Sequence, residues 1–398
     1  MTPRAPTKRF EKRKAAIVAS AVEVINRKGV RGMTLAEVAA RLDLVPTGVV
    51  YYFRNKEDLA SACFLEGITR FRELLATGEV GATPRARLAS FIEAYFRFKR
   101  EALSGCVEPV AVFNDIRALA CEPVNKAYVE MFRQARGLLA GTGLSAAERN
   151  ARAHLLLSEI FWTPVWLHRC DAEDYDRAAA RFGAIIADGL AAPGAAWAPV
   201  PMASLAPETE SAGSAEAFLR AATQLINEEG YLGASVEKIS ARLNVTKGAF
   251  YHHNDTKDEL VVACFERTFE VMRRAIRQAE AASSTGYQTL ASAAAALVAY
   301  QLTGEAPLLR ASALTSAPET LQPQLVRKFD RISDRFAALI SDGIADGSIR
   351  PVDTNIAAQM VTGMINAAAE LHHCTPGVTP GAAVERFVQP FFEGLPPA

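Results

Sequence analysis

At 398 residues the chain exceeds one ordinary domain, and with 50% apolar and 22% charged residues it is not a disordered one. Six cysteines scattered without a CxxC pair exclude a disulfide framework and a zinc ribbon. The formal net charge of zero excludes a uniformly basic chain. It averages over an imbalance, because residues 1–60 carry 12 Lys/Arg against 6 Asp/Glu and residues 202–261 carry 5 against 9.

The chain begins MTPRAPTKRFEKRKAA, basic and without an apolar run behind it, unlike a secretory signal, so a cytoplasmic setting is expected. Arg4, Lys8, Arg9, Lys12, Arg13 and Lys14 form a basic arm that suits phosphates or a minor groove, or else a solvated tail. Ile17, Ala21, Val24 and Ile25 then recur at helical spacing, and Gly29 stops that helix. Thr34-Leu35-Ala36-Glu37 reads as a capping box for a short second helix. After Leu42 a tight turn leads to another short helix at about 46–52. Val45 cannot cap it, but Pro46 suits its first position. Asn55 caps a long following helix. Helix, tight turn, helix, flanked by supporting helices, is a helix-turn-helix module.

Further helices are expected up to residue 190, one of them interrupted by Pro164. Residues 191–214, with Pro193, Pro199, Pro201 and Pro207 and a small, acidic end, read as a linker. Residues 281–304 carry no charge but are built from small and polar residues, so they suit a buried helix rather than a membrane span.

The chain then repeats itself. Residues 21–65 and 222–266 align without a gap at a spacing of 201, and 13 positions are identical. Among them are Ile25/Ile226, Asn26/Asn227, Gly29/Gly230, Arg41/Arg242, Leu42/Leu243 and Lys56/Lys257, with Ala62-Cys63-Phe64 returning as Ala263-Cys264-Phe265. A later echo has a spacing of 204–205: LHRC (167–170) returns as LHHC (371–374), and RFGAIIADGL (181–190) as RFVQPFFEGL (386–395). The repeating unit is domain-sized, far longer than a solenoid repeat. In the second copy Ser235 keeps the first cap, Thr246 suits the cap of the short helix, and Thr256 opens the long one.

Both copies resemble the DNA-binding domain of the TetR family of bacterial transcriptional regulators. The second carries that family's pattern through Leu243, Thr246, Gly248, Phe250, Tyr251, His253, Lys257 and Leu260, with Asn254 where Phe is usual. The first carries it through Leu42, Val49, Tyr52, Phe53, Lys56 and Leu59, and departs at Val45, Thr47 and Val50. The resemblance implies an all-α fold of two tandem units. Residues 1–66 and 215–267 would be the helix-turn-helix domains, the first with its basic arm. Residues 67–190 and 268–398 would be helical ligand-binding and dimerisation domains, docked as an intramolecular pseudo-dimer. The last two helices of each copy, about 145–169 with 172–190 and 352–373 with 379–394, are the expected interface.

It further implies double-stranded DNA as partner, a small-molecule effector, no cofactor, and repression as the mode of regulation. In the first head, Thr34, Pro46, Thr47, Gly48, Tyr51, Tyr52 and Lys56 would lie at DNA. In the second, Ser235, Thr246, Lys247, Gly248, Ala249, Tyr251, His252 and Lys257 would do so. Tyr52, Phe53 and His253 suit bracing of the helix pair better than contact, whereas Thr246, Tyr251 and Lys257 suit contact. The charge imbalance predicts unequal heads on an asymmetric operator. The acidic second head also leaves room for an adaptor in which only the first head binds DNA.

Phe96, Phe113, Glu159, Trp162, Trp166 and His168 are the candidates for an apolar effector pocket with few polar groups, and each equally suits an ordinary core. His168, Cys170, His372, His373 and Cys374 are competent metal ligands. His-x-Cys on one helix does not aim both side chains at one ion, so inherited packing is expected and no metal. GxSxG, GxGxxG, P-loop and HExxH motifs are all missing, which leaves an enzyme without support.

Overall fold

The computed structural model describes residues 7–397 except 114–115, 117–118, 206–214, 247–255, 305–306, 311–312, 314–316 and 318–319, and except the side chain of Leu232. The described residues are helical, with one isolated antiparallel bridge between Ala191 and Ile349. None of their helices is long and apolar enough to cross a membrane.

The first half holds α1 (Lys8–Gly32), α2 (Leu35–Ala40), α3 (Pro46–Val50), α4 (Lys56–Glu79), α5 (Pro84–Leu103), α6 (Glu122–Gly137), α7 (Ala146–Trp166) and α8 (Tyr175–Asp188). The basic stretch Lys8–Lys14 is not a free arm but the first two turns of α1. Thr7 accepts from the Phe10 amide there, and Phe10 packs on Tyr52 with ring centroids 4.8 Å apart. Gly29, at φ 70°, breaks the end of α1 in a backbone region that side chains resist. Asp43 turns between α2 and α3 with φ 54°, a conformation Asp and Asn tolerate. Thr34 caps α2 by accepting from the Glu37 amide, but the Glu37 carboxylate turns to Arg27 and Lys28, so only half of the expected box forms. Pro46 opens α3 without a side-chain cap, and Asn55 caps α4.

The second half repeats this with α9 (Ala215–Gly233), α10 (Val236–Arg242), α11 (Lys257–Ala282), α12 (Gly286–Thr303), α13 (Gln322–Ala345), α14 (Thr354–Ala367) and α15 (Leu371–Cys374). It closes with α16 (Pro380–Ala383), a π-helical turn at Val384–Val388, and α17 (Gln389–Glu393). Gly230 at φ 71° and Asn244 at φ 54° reproduce Gly29 and Asp43.

Pro164 lies in the last turn of α7 and cannot donate to the Ile160 carbonyl one turn back. The Tyr95 hydroxyl (3.2 Å) and the Thr163 hydroxyl (2.8 Å) donate to it instead, so the helix runs on to Trp166 before tightening into a 3₁₀ turn at Leu167–Arg169.

The halves pack along α7 and α8 of the first against α14, α15, the π-helical turn and α17 of the second. Backbone bonds cross this seam in both directions. The Leu190 amide donates to Phe392 O at 2.8 Å, and the Leu395 amide donates to Ile186 O at 2.9 Å. Gly189 and Gly394, related by the spacing of 205, both have positive φ. A Cβ on Gly189 would lie 2.2 Å from Phe392 O, and one on Gly394 would lie 2.5 Å from Ala187 O. Only glycine fits either place. Arg350 adds donation to Gly189 O and Ala184 O, both at 2.8 Å. The proline-rich stretch after α8 is no free tether over its described part. Trp197 packs on Phe392, Val200 N donates to Ser292 Oγ at 2.8 Å, and Leu205 is buried.

Candidate nucleic-acid interface

In the first head Val49 and Phe53 are buried, with α3 packed on α2 and Lys14 of α1 over the Phe53 ring, which turns Pro46, Thr47, Val50 and Tyr51 outward. Tyr51 is 73% exposed, with its ring edge-on to Tyr52 and to Phe10. Tyr52 is half-buried between α3 and α1, which is bracing. Gly48 is half-buried, and a Cβ there would meet only Leu44, at 3.7 Å or more. Its space does not demand glycine. Lys8, Arg9, Lys12 and Arg13 stand exposed on α1 and make no ion pair among the described residues. Phe10 joins that basic edge to Tyr51, so aromatic and cationic groups share one face. Sequence spacing alone does not link them, because a basic run at a chain start looks the same as a free arm or as the first turns of a helix.

Lys56 is half-buried and donates to Arg31 O at 3.1 Å. Lys257 lies 4.2 Å over the ring of Tyr231, and burial pulls its ammonium below the usual lysine range. Tyr231 donates to Asp258, and burial together with that carboxylate pushes the phenol up. Both lysines expected at phosphate therefore have internal partners. Ser235 caps α10 by accepting from Lys238 N at 3.3 Å, and Thr246 is exposed at the end of the turn. Lys247, Gly248, Ala249, Tyr251 and His252 lie outside the described residues, as does Arg4.

The heads differ most in the ion pairs that tie their first helices to their second. In the first, Arg27 and Lys28 pair with Glu37 and hold its carboxyl below the usual range, chiefly through the Lys28 hydrogen bond. At the matching places of the second, Glu229 pairs with Lys238, and Glu228 with Arg242. The Lys28–Glu37 pair thus persists as Glu229–Lys238 with its charges exchanged, which is part of why one head is basic and the other acidic, while Glu228 turns to Arg242, whose counterpart Arg41 pairs with Glu23. The heads also meet. A Cβ on Gly233 would lie 2.6 Å from Arg31 Nη1, close to Glu229.

Each head is tied to its helical domain by the same residue. Asn26 donates to Val110 O at 3.0 Å and accepts from Val112 N at 2.8 Å. Asn227 donates to Leu308 O at 2.9 Å and accepts from Arg310 N at 2.9 Å. The identity of Asn26 and Asn227 is visible in the repeat, but their partners lie more than 80 residues away. The second head has a further tie: the buried Arg267 on α11 pairs with Glu216 of α9 and donates to Tyr300 Oη at 2.9 Å.

The six effector candidates do not converge. Glu159, Trp162 and Trp166 share one face of α7 at the seam, and Phe96 meets Trp166 with centroids 6.2 Å apart. Phe113 packs with Phe71 and Phe161, at 5.1 Å from each, and is joined to Phe96 and Trp166 through Phe71 and Tyr95. His168 is exposed, because the 3₁₀ turn after α7 swings it off the buried face. Both carboxyl oxygens of Glu159 and the indole nitrogens of Trp162 and Trp166 are buried without partners among the described residues, and burial raises the Glu159 pKa well above the usual range. Beside Trp166 a recess of about 380 Å³ opens at the seam, lined also by Arg181, Asp353 and Gln359. Among the described residues no three His, Cys, Asp or Glu side chains gather as metal ligands. The echo's Cys374 sits 3.7 Å from His154, whose ring nitrogen also meets Ala367 O at 2.9 Å.

Comparison with known proteins follows the same division. The family described as "Bacterial regulatory proteins, tetR family" matches residues 17–63 and 218–264, and that described as "Tetracyclin repressor-like, C-terminal domain" matches residues 283–372. The transposon Tn10 TetC protein of Escherichia coli is 40% identical over 52 residues, 13% of this chain and 26% of that protein. The HTH-type transcriptional repressor DhaR of Mycobacterium sp. (strain GP1) is 30% identical over 131 residues, 32% of this chain and 66% of that protein. The chain thus spans less than two thirds of the length of these relatives. Apo AibR aligns at 19% identity over 46% of this chain and 99% of its own, with a TM-score of 0.40. With two matched helix-turn-helix segments at the spacing of the repeat, the chain belongs to the TetR family of bacterial regulators and carries two of its units in tandem.

Proposed function

We propose that the chain is a single-chain pseudo-dimer that binds an asymmetric DNA site and represses transcription in response to a small molecule. The observation that carries this reading is the reciprocal seam, in which Gly189 lies against Phe392 O while Gly394 lies against Ala187 O, positions that the spacing of 205 interchanges. Such mutual contact is the signature of a two-fold interface, here between halves of one chain. Residues 1–66 and 215–267 serve as the heads, and 67–190 and 268–398 as the domains that pair and bind the effector. Paired heads of this kind read half-sites about one helical turn apart, roughly 34–36 Å. Thr34, Pro46, Thr47, Gly48 and Tyr51 with the basic edge of α1 contact the first half-site. Ser235, Thr246, Lys247, Gly248, Ala249, Tyr251 and His252 contact the second, and Lys56 and Lys257 join them by leaving their internal partners. An effector held among the helices behind the heads acts by displacing the loops that grip Asn26 and Asn227, which resets the head spacing.

The test is selection of DNA from a random pool by the full-length chain at stated salt. Two different half-sites at fixed spacing support the reading, and a perfect palindrome counts against unequal heads. A second reading, in which only the first head binds DNA, is favoured by the acidic Glu228 and Glu229 and by Lys257 lying on Tyr231. It predicts a lone half-site.

A further inference from the structure

We infer that Glu159 and Gly363 form a one-way key: the seam accepts the first half against the second and rejects the first half against a copy of itself. The inference rests on the proposed pairing of halves within one chain. The spacing of 204 residues that relates LHRC to LHHC also relates Glu159 to Gly363. The two helices that carry them, α7 and α14, cross in opposite directions: His154 meets Ala367, Glu159 meets Gly363, and Trp166 shares a recess with Ile356 and Gln359. Glu159 and Gly363 therefore stand at the centre of the crossing, where in a two-fold pair a residue faces its own counterpart.

That centre has room for one side chain, not two. A Cβ on Gly363 would lie 2.9 Å from Cδ1 and Cγ of Trp162 and 3.1 Å from Glu159 Oε2. Both first approaches are closer than side chains pack. If two first halves paired, Glu159 would stand where Gly363 stands, pressed on the partner copy's tryptophan. A pair of second halves fails differently, because Asn366 takes the place of Trp162 and leaves the space against the glycine unfilled. Separate identical subunits cannot hold two residues at such a position. Fusion can, and it makes the diverged pair exclusive.

The experiment uses full-length chains, with light-scattering mass and tryptophan emission as readouts. Gly363→Glu blocks the seam. The expected result is an unchanged mass and a red-shifted emission, since Trp162 and Trp166, two of the three tryptophans, leave the interface. Combining it with Glu159→Gly transposes the key, so Trp162 of one copy meets the introduced glycine of another. The expected mass is then twofold that of the single variant at equal concentration. A red shift with equal masses, or doubling by Gly363→Glu alone, overturns the key but leaves the paired halves standing. No red shift in Gly363→Glu overturns the key alone, since the seam then holds a side chain at that place, whereas wild-type emission already at the solvent-exposed wavelength overturns the pairing itself. If far-UV circular dichroism shows that Gly363→Glu does not fold, Gly363→Ala with and without Glu159→Gly makes the same comparison through the 2.9 Å approach to Trp162.

Discussion

The Asn26 side chain closes a two-bond bridge to the loop at Val110, donating to its carbonyl at 3.0 Å while accepting from the Val112 amide at 2.8 Å. Asn227 repeats this with Leu308 and Arg310. Among the described residues these are the ties that recur in the same form between each head and the helices behind it. Asn26→Ala removes both bonds and leaves two loop groups wanting partners, so a loss of about 1–2 kcal/mol in stability is expected for a half-buried site. Hydrogen exchange at the Val112 amide should accelerate while DNA affinity becomes less sensitive to effector.

Tyr51 is exposed and, among the described residues, touches only the rings of Phe10 and Tyr52, so truncating it spares the core. Tyr51→Ala should leave thermal unfolding within about a degree of wild type. It should weaken specific DNA binding about tenfold, roughly 1.4 kcal/mol by titration. Replacing Lys8, Arg9, Lys12 and Arg13 together should flatten the salt dependence of binding, by about 0.9 in slope for each phosphate no longer neutralised. An unchanged slope would leave the basic edge of α1 without a part in binding.

Glu159 sets a pH dependence whose sign follows from its burial. The folded chain keeps this proton at pH values where the unfolded chain has released it, so stability falls as pH rises from the ordinary carboxylate range near 4. The slope from one such group is about 1.4 kcal/mol per pH unit until the folded carboxyl ionises. Glu159→Gln keeps the shape and removes the proton. The difference between the two denaturation curves should widen from pH 5 to 7 in favour of the variant. Parallel curves would place the carboxyl in contact with water or a cation.

Arg31 lies against Gly233 beside Glu229 and lowers the pKa of that carboxyl, after the larger effect of Lys238. Arg31→Glu puts like charges at this meeting point and should drive the heads apart. The expected result is several-fold weaker binding to the wild-type site, with partial recovery on sites of altered half-site spacing. Raised salt should reduce the effect, since Arg31 is exposed and Glu229 only half-buried.

The sequence by itself determined the two helix-turn-helix heads. Their signals are local: Gly29 and Gly230 at helix ends, Thr34 and Ser235 as caps, Pro46 at a first turn, and apolar residues three and four apart. Backbone geometry imposes such signals within a few residues, so a repeat makes them legible twice. Asp43 and Asn244 are visible as a conservative pair, but their left-handed backbone is not, because either residue also suits ordinary turns. The effector candidates are less legible, since an aromatic at helical spacing looks the same in any core. Only tertiary structure set Phe71, Tyr95 and Phe96 between Phe113 and Trp166, and only the 3₁₀ turn sent His168 to solvent. Asn26 needed a loop 84 residues away, and Glu159 needed a glycine from the other half of the chain. Hydrogen bonding and close packing act between groups that the fold makes adjacent, and one-dimensional spacing holds no record of that adjacency.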